Sequence, residues 1–176
     1  MITNSRSDNV NTRNLVVDIL LAVTRDGAFF HIAIRDVLDK YRYLPKQDRA
    51  FITRLSQGTI ERMIELDAII NQFSKTKVKK MKPVIAAILR SGVYQLKYMD
   101  SVPDSAACNE AVKLTVKRGF GGLKGFVNGV MRTIARNMDQ IRYPDAEKEP
   151  VRYLSVKYSI PEWLVQRFTE QYGAEA

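Results

Sequence analysis

Apolar residues recur at helical spacing along nearly the whole chain, and no stretch alternates as a half-buried strand does. That pattern restricts the fold to an all-α bundle. In NTRNLVVDILLAVTRDG, Leu15, Ile19 and Val23 share a face, Asn11 or Thr12 offers an N-cap, and Gly27 offers a stop. HIAIRDVLDKY is a second, shorter helix. A long run follows, QDRAFITRLSQGTIERMIELDAIINQF, which Ser56, Gln57 and Gly58 are expected to bend or split. Pro83 opens PVIAAILRSGVYQLKYMD, as proline does at a first helical turn. Ser101 to Asp104 has the form of a capping box ahead of SAACNEAVKLTVKR, and Gly119, Gly121 and Gly122 end that helix. KGFVNGVMRTIAR opens the next, which is expected to run to about Asp139. Pro144 and Pro150 bracket a polar linker, after which VRYLSVKYS and PEWLVQRFTEQYG read as two short helices. The expectation is about seven helices, the last two outside the main core, with one domain over residues 11–140 and a linker over 141–176.

A chain of 176 residues, 45% of them hydrophobic, can bury a real core. Its formal charge of +9 favours polyanionic partners, nucleic acid above all. One cysteine, Cys108, rules out an internal disulfide and a cysteine-rich zinc site, and fits a reducing cytoplasm. With no histidine beside it in sequence, Cys108 reads as a small buried hydrophobe rather than a nucleophile. The lone His31 cannot build a metal site by itself. The start, MITNSRSDNVNTR, is too polar for a signal peptide, and no apolar run approaches the roughly 18 residues of a membrane span. A soluble, cytoplasmic protein without a membrane partner is expected.

The segment KGFVNGVMRTIAR carries the sharpest functional signal. At about 100° per residue, Phe126, Val127, Val130, Met131 and Ile134 cover one face of the helix. Asn128, Arg132 and Arg136 share the opposite face, flanked by Gly125 and Gly129. Each glycine costs about 1 kcal/mol relative to alanine in a helix interior. The pair serves either close packing against a neighbouring helix or close approach of a phosphate or base to bare backbone.

Between Glu110 and Asp139 there is no acid. The interval holds Lys113, Lys117, Arg118, Lys124, Arg132 and Arg136, a local charge of +6. Asn109, Lys113 and Lys117 lie one helical turn apart, so two antiparallel helices joined by the glycine turn would merge two basic stripes into one phosphate-neutralising patch. The connector KTKVKKMK, with five lysines in eight residues, is either a solvated loop or a further RNA contact. Tyr41, Tyr43, Tyr94 and Tyr98 are weaker candidates for base stacking. GFGGLKG follows a helical segment rather than a strand, so it does not read as a nucleotide-binding loop.

Four pieces occur in order: DRAFITRLSQGTIERMIELDAII, ILRSGVYQLKYMD, VPDSAACNEAV and KGFVNGVMR. Together they resemble the NusB-like RNA-binding domain, in the version found at the N-terminus of RsmB (Sun/Fmu) 16S ribosomal RNA cytosine-C5 methyltransferases. The tail RYLSVKYSIPEWLVQRFTEQYGAEA resembles the segment that leads toward the catalytic domain of those enzymes. The resemblance implies a bundle of two three-helix halves plus a C-terminal helical linker. It implies an RNA-facing surface formed by the first helix, with Arg13, and by the FVNGV helix, with Phe126 and Asn128. It further implies a ribosomal RNA partner, and a parent enzyme whose S-adenosylmethionine site and catalytic cysteines lie in a domain missing from this chain. On that reading the chain is a fragment without catalysis or cofactor of its own, whose exposed Trp163, Leu164 and Phe168 can drive homodimerisation. The alternative is a free-standing NusB-like antitermination factor that binds RNA and a ribosomal protein. A self-sufficient catalyst is disfavoured, because no cofactor loop or nucleophile constellation is present.

Overall fold

The structure, a computed structural model, describes residues 10–173. The polar leading residues 1–9, weighed above as a signal peptide, lie outside them. Nine α-helices and no strand occur among the described residues: α1 (Thr12–Thr24), α2 (Phe30–Lys40), α3 (Lys46–Glu61), α4 (Met63–Phe73), α5 (Pro83–Tyr98), α6 (Asp104–Lys117), α7 (Lys124–Arg136), α8 (Pro150–Tyr158) and α9 (Glu162–Tyr172). Helices α1–α3 form one three-helix half and α5–α7 the other, with α4 leading between them. Helix α5 is the hub, packing against α1, α3, α4, α6 and α7. Small residues make this possible: Ala86, Ala87, Ser91 and Gly92 are all buried on α5. A Cβ at Gly92 would lie 2.7 Å from the Met131 sulfur of α7.

Local sequence sets most of the boundaries. Asn11 caps α1, its Oδ1 accepting from the Asn14 amide at 3.0 Å. Pro83 sits at the start of α5. Two details depart from expectation. The long run divides at Arg62, not at Ser56–Gly58, which accounts for one of the helices beyond seven. Gly58 stays helical because its missing side chain makes room for the Tyr94 ring of α5. The capping box is not formed either. Met99 and Val102 close a turn, the Val102 amide donating to the Met99 carbonyl at 2.9 Å, so α6 begins behind Pro103 and Ser101 falls too early to cap it. Asp104 instead contributes a carboxylate to the first turn, where the helix dipole favours one.

Helices α8 and α9 pack on each other, and α8 lies against α4. Val156 and Val165 are buried but stand apart from the shared core cluster. Polar bonds hold this arm. Gln72 and Arg142 exchange two bonds, the Arg142 amide donating to Gln72 Oε1 at 2.9 Å and Gln72 Nε2 donating to the Arg142 carbonyl at 2.8 Å. The Ile64 amide donates to Ser159 Oγ at 3.1 Å, and Ser159 itself takes the left-handed conformation (φ 55°) that closes α8.

Glu65, only 2% exposed, is the centre of this attachment. It accepts from the hydroxyl of Tyr98 at 2.5 Å and of Tyr143 at 2.6 Å, with Arg62 and Lys97 each 3.7 Å away. Both phenols are held well above the ordinary value of 10.0, first by burial and then by donating to the carboxylate. A folded-state pKa above the unfolded one means that the protonated phenols contribute stability fully below about pH 10 and lose it as pH rises through the folded values. Ultraviolet titration is therefore expected to show late-ionising phenols above pH 10 while the protein stays folded, with one fewer in Tyr143→Phe. A titration curve with no late-ionising phenol would refute this arrangement.

Candidate nucleic-acid interface

Helices α6 and α7 form an antiparallel hairpin. Gly119, at φ +85°, closes α6. The Phe120 amide donates to the Thr115 carbonyl at 2.9 Å and the Gly119 amide to Val116 at 3.0 Å, the paired bonds of a Schellman stop. The glycine-rich segment is thus a helix-to-helix turn. Val127, Val130, Met131 and Ile134 are buried on one face of α7, while Arg132 and Arg136 are exposed on the other.

The two polar stripes meet. Arg132 donates through Nε to Asn128 Oδ1 at 3.1 Å and through Nη2 to Asn109 Oδ1 of α6 at 2.9 Å. Beside this bridge lies an open groove of about 530 Å³, lined by Asn109, Val112, Lys113, Lys124, Gly125 and Asn128. Lys113 pairs with Glu110 at 3.0 Å, but at 70% exposure that contact is easily exchanged for a phosphate. Lys117, Lys124 and Arg136 are exposed and have no carboxylate partner among the described residues.

An added Cβ on Gly125 or Gly129 would meet nothing within 4 Å. Neither glycine serves helix packing. Both leave bare backbone on the exposed side of α7, in or beside the groove, which excludes the close-packing reading of the pair.

Other predicted residues have different surroundings. Arg118 is turned inward, donating to Asn14 Oδ1 (2.7 Å), the Asn14 carbonyl (2.9 Å) and Asp18 (2.6 Å). It bolts the end of α6 to α1 and pairs with Asp18, unlike the exposed Lys117, Lys124 and Arg136. Arg13 is half-buried, donating to Gln95 Oε1 at 2.8 Å and lying 5.0 Å from the Phe51 ring centroid. Burial pushes its pKa down and Glu110 pulls it back up. Phe126 is half-buried against the core rather than presented as a stacking surface. Tyr94 fills the space at Gly58, and the Tyr98 ring is covered by Tyr94, with centroids 5.1 Å apart, and by Arg62 and Lys97, each 5.3 Å from its centroid, which removes both as free stacking platforms. Cys108 is buried, and burial raises its thiol pKa. Leu164 is half-buried, whereas Trp163 and Phe168 stay exposed. No helix among the described residues is long and apolar enough to cross a membrane.

The model of the NusB family matches residues 10–136, from the residue before the cap of α1 to the last residue of α7. The chain belongs to the NusB family. The matched residues end where α7 ends, leaving α8 and α9 outside them. The chain is 36% identical over 166 residues to the probable ribosomal RNA small subunit methyltransferase B of Bacillus subtilis, a match covering 94% of this chain and 36% of that protein. It is 39% identical over 90 residues to the transcription antitermination protein NusB of Agathobacter rectalis, covering 51% of this chain and 69% of that one. The chain therefore spans about a third of the length of the first curated relatives it matches. Among solved structures, the antitermination factors NusB and NusE in complex with dsRNA share the fold, with a TM-score of 0.65 and 21% identity over 71% of this chain and 93% of that one.

Proposed function

We propose that this chain is an RNA-docking module that presents ribosomal RNA to a cytosine-C5 methyltransferase domain. The observation that carries the proposal is the α6–α7 groove, lined by Lys113 and Lys124 beside helix backbone left open by Gly125, with Lys117, Arg132 and Arg136 exposed on the same two helices. Cations there neutralise phosphates, and the uncovered backbone lets a strand lie close. The methyltransferase assignment is supported by the Bacillus relative, whose match covers 94% of this chain and so reaches into the α8–α9 arm. Against the antitermination reading, the NusB relatives cover 51–68% of this chain, where the Bacillus relative covers 94%. Methyl transfer from S-adenosylmethionine would belong to the part of the longer relatives that this chain does not match. The residues here do not fit that cofactor, because the one glycine-rich segment follows helix α6 rather than a strand. Labelled S-adenosylmethionine incubated with this chain and ribosomal RNA is expected to leave the RNA unlabelled.

Affinity for a ribosomal RNA hairpin, titrated with salt beside duplex DNA of equal length, tests the reading. Strong, salt-steep binding with a preference for RNA is expected. Charge reversal at Lys113, Lys117, Arg132 and Arg136 is expected to abolish most of it, flattening the dependence of log affinity on log salt by about 0.7 for each lost single-strand phosphate contact. Unchanged affinity in that variant would rule the groove out.

A further inference from the structure

A second and larger groove, about 770 Å³, opens between α4, the lysine-rich connector, the 141–149 linker and α8. Its cations are Lys77, Lys79, Arg142 and Arg152. Its two acids are both engaged: Asp67 is held bidentately by Arg90 at 2.6 and 2.8 Å, and Glu149 pairs with Arg152 at 3.2 Å. Lys77, Lys79 and Arg142 have no carboxylate within ion-pair distance among the described residues. The groove thus presents three uncompensated positive charges.

Its walls are ordered. Val78 is buried and its amide donates to Asn71 Oδ1 at 2.9 Å, which seats the connector on the end of α4. The backbone of Arg142 is fixed from both sides by Gln72, leaving the guanidinium exposed at the rim. The Tyr143 ring lines the groove while its hydroxyl is tied to Glu65. An aromatic face held beside unpaired cations is what an unstacked base and its phosphates require.

The two grooves are also close along the chain. The basic stripe of α7 ends at Arg136, and a single turn, Met138–Gln140, separates it from Arg142. Six residues span at most about 22 Å. We propose that a single-stranded RNA segment continues from the α6–α7 groove past Arg136 into this second groove, its phosphates on Lys77, Lys79 and Arg142 and one base against Tyr143. This rests on the reading of α6–α7 as the first RNA contact.

The test measures affinities of the whole chain for oligouridines of two lengths, one filling only the first groove (about 5 nucleotides) and one long enough for both (about 16). Lys79→Gln combined with Arg142→Gln alters two exposed side chains that make no internal bond. This variant is expected to bind the long strand about tenfold more weakly near 0.1 M salt and the short strand unchanged. The charge-keeping pair Lys79→Arg and Arg142→Lys is expected to retain most of the affinity. Lys113→Glu with Arg136→Glu should weaken both lengths. Wild-type affinity of the glutamine variant for the long strand, with loss in the Lys113/Arg136 variant, would overturn the second groove and leave the first standing. Indifference of both variants would overturn both. Displacement of the long strand from the second groove by polyglutamate as effectively as by RNA would assign the groove to an acidic protein segment and also overturn the proposal.

Discussion

A Glu65→Ala variant is expected to lose about 3–5 kcal/mol of stability, read as a lowered urea midpoint, or a fall in Tm of roughly 10 °C for a domain this size. Removing the carboxylate leaves two half-buried phenol hydroxyls without their acceptor. It also leaves Lys97 and Arg62 without the charge that balances them. Arg62 is 38% exposed and well screened, so most of the loss arises from the phenols and from Lys97, which is 24% exposed. Glu65→Gln keeps one acceptor oxygen and should cost less than half as much. A loss under 1 kcal/mol in Glu65→Ala would show that the arm does not depend on this contact.

The glycines predict opposite signs at chemically identical changes. Gly58→Ala is expected to destabilise by about 3 kcal/mol, because its Cβ would sit 2.1 Å from Tyr94 Cζ and the ring must leave its place between α3 and α5. Gly129→Ala, with nothing within 4 Å of the new methyl, is expected to stabilise by about 0.5–1 kcal/mol while weakening RNA binding. Denaturant melts of both, with anisotropy titrations of the second, decide the matter. The same sign of stability change in both variants would refute the packing account.

The difference between these glycines shows where sequence reading stops. Helical periodicity located the helices and the buried face of α7, because each rests on residues three or four apart. It could not rank Gly58 against Gly129: what distinguishes them is Tyr94, 36 positions from Gly58 in sequence. The surroundings of Arg118 were hidden for the same reason. It looked like one more cation in an acid-free interval, yet from α1 Asp18 pairs with it, 100 positions away, and Asn14 accepts its hydrogen bond, 104 positions away. Arg13 is tied to Gln95 across 82 positions. Glu65 gave no sign of being a hub, since its tyrosine partners come from α5 and from the linker. The groove between α6 and α7 was legible because both stripes belong to one hairpin, and adjacent antiparallel helices bring such stripes together without help from the rest of the fold.

The placement of the arm outside the shared core divides what spectroscopy can see. Trp163 is the sole tryptophan, lies on α9 and is 64% exposed. Its fluorescence therefore reports the arm, while far-ultraviolet circular dichroism is dominated by the seven helices of the bundle. With Val156 and Val165 packed apart from the main cluster, the arm is expected to open as a separate cooperative unit at lower free energy. The two signals should not trace the same melting curve, and a single midpoint taken from tryptophan emission would describe detachment of α8 and α9 rather than unfolding of the domain.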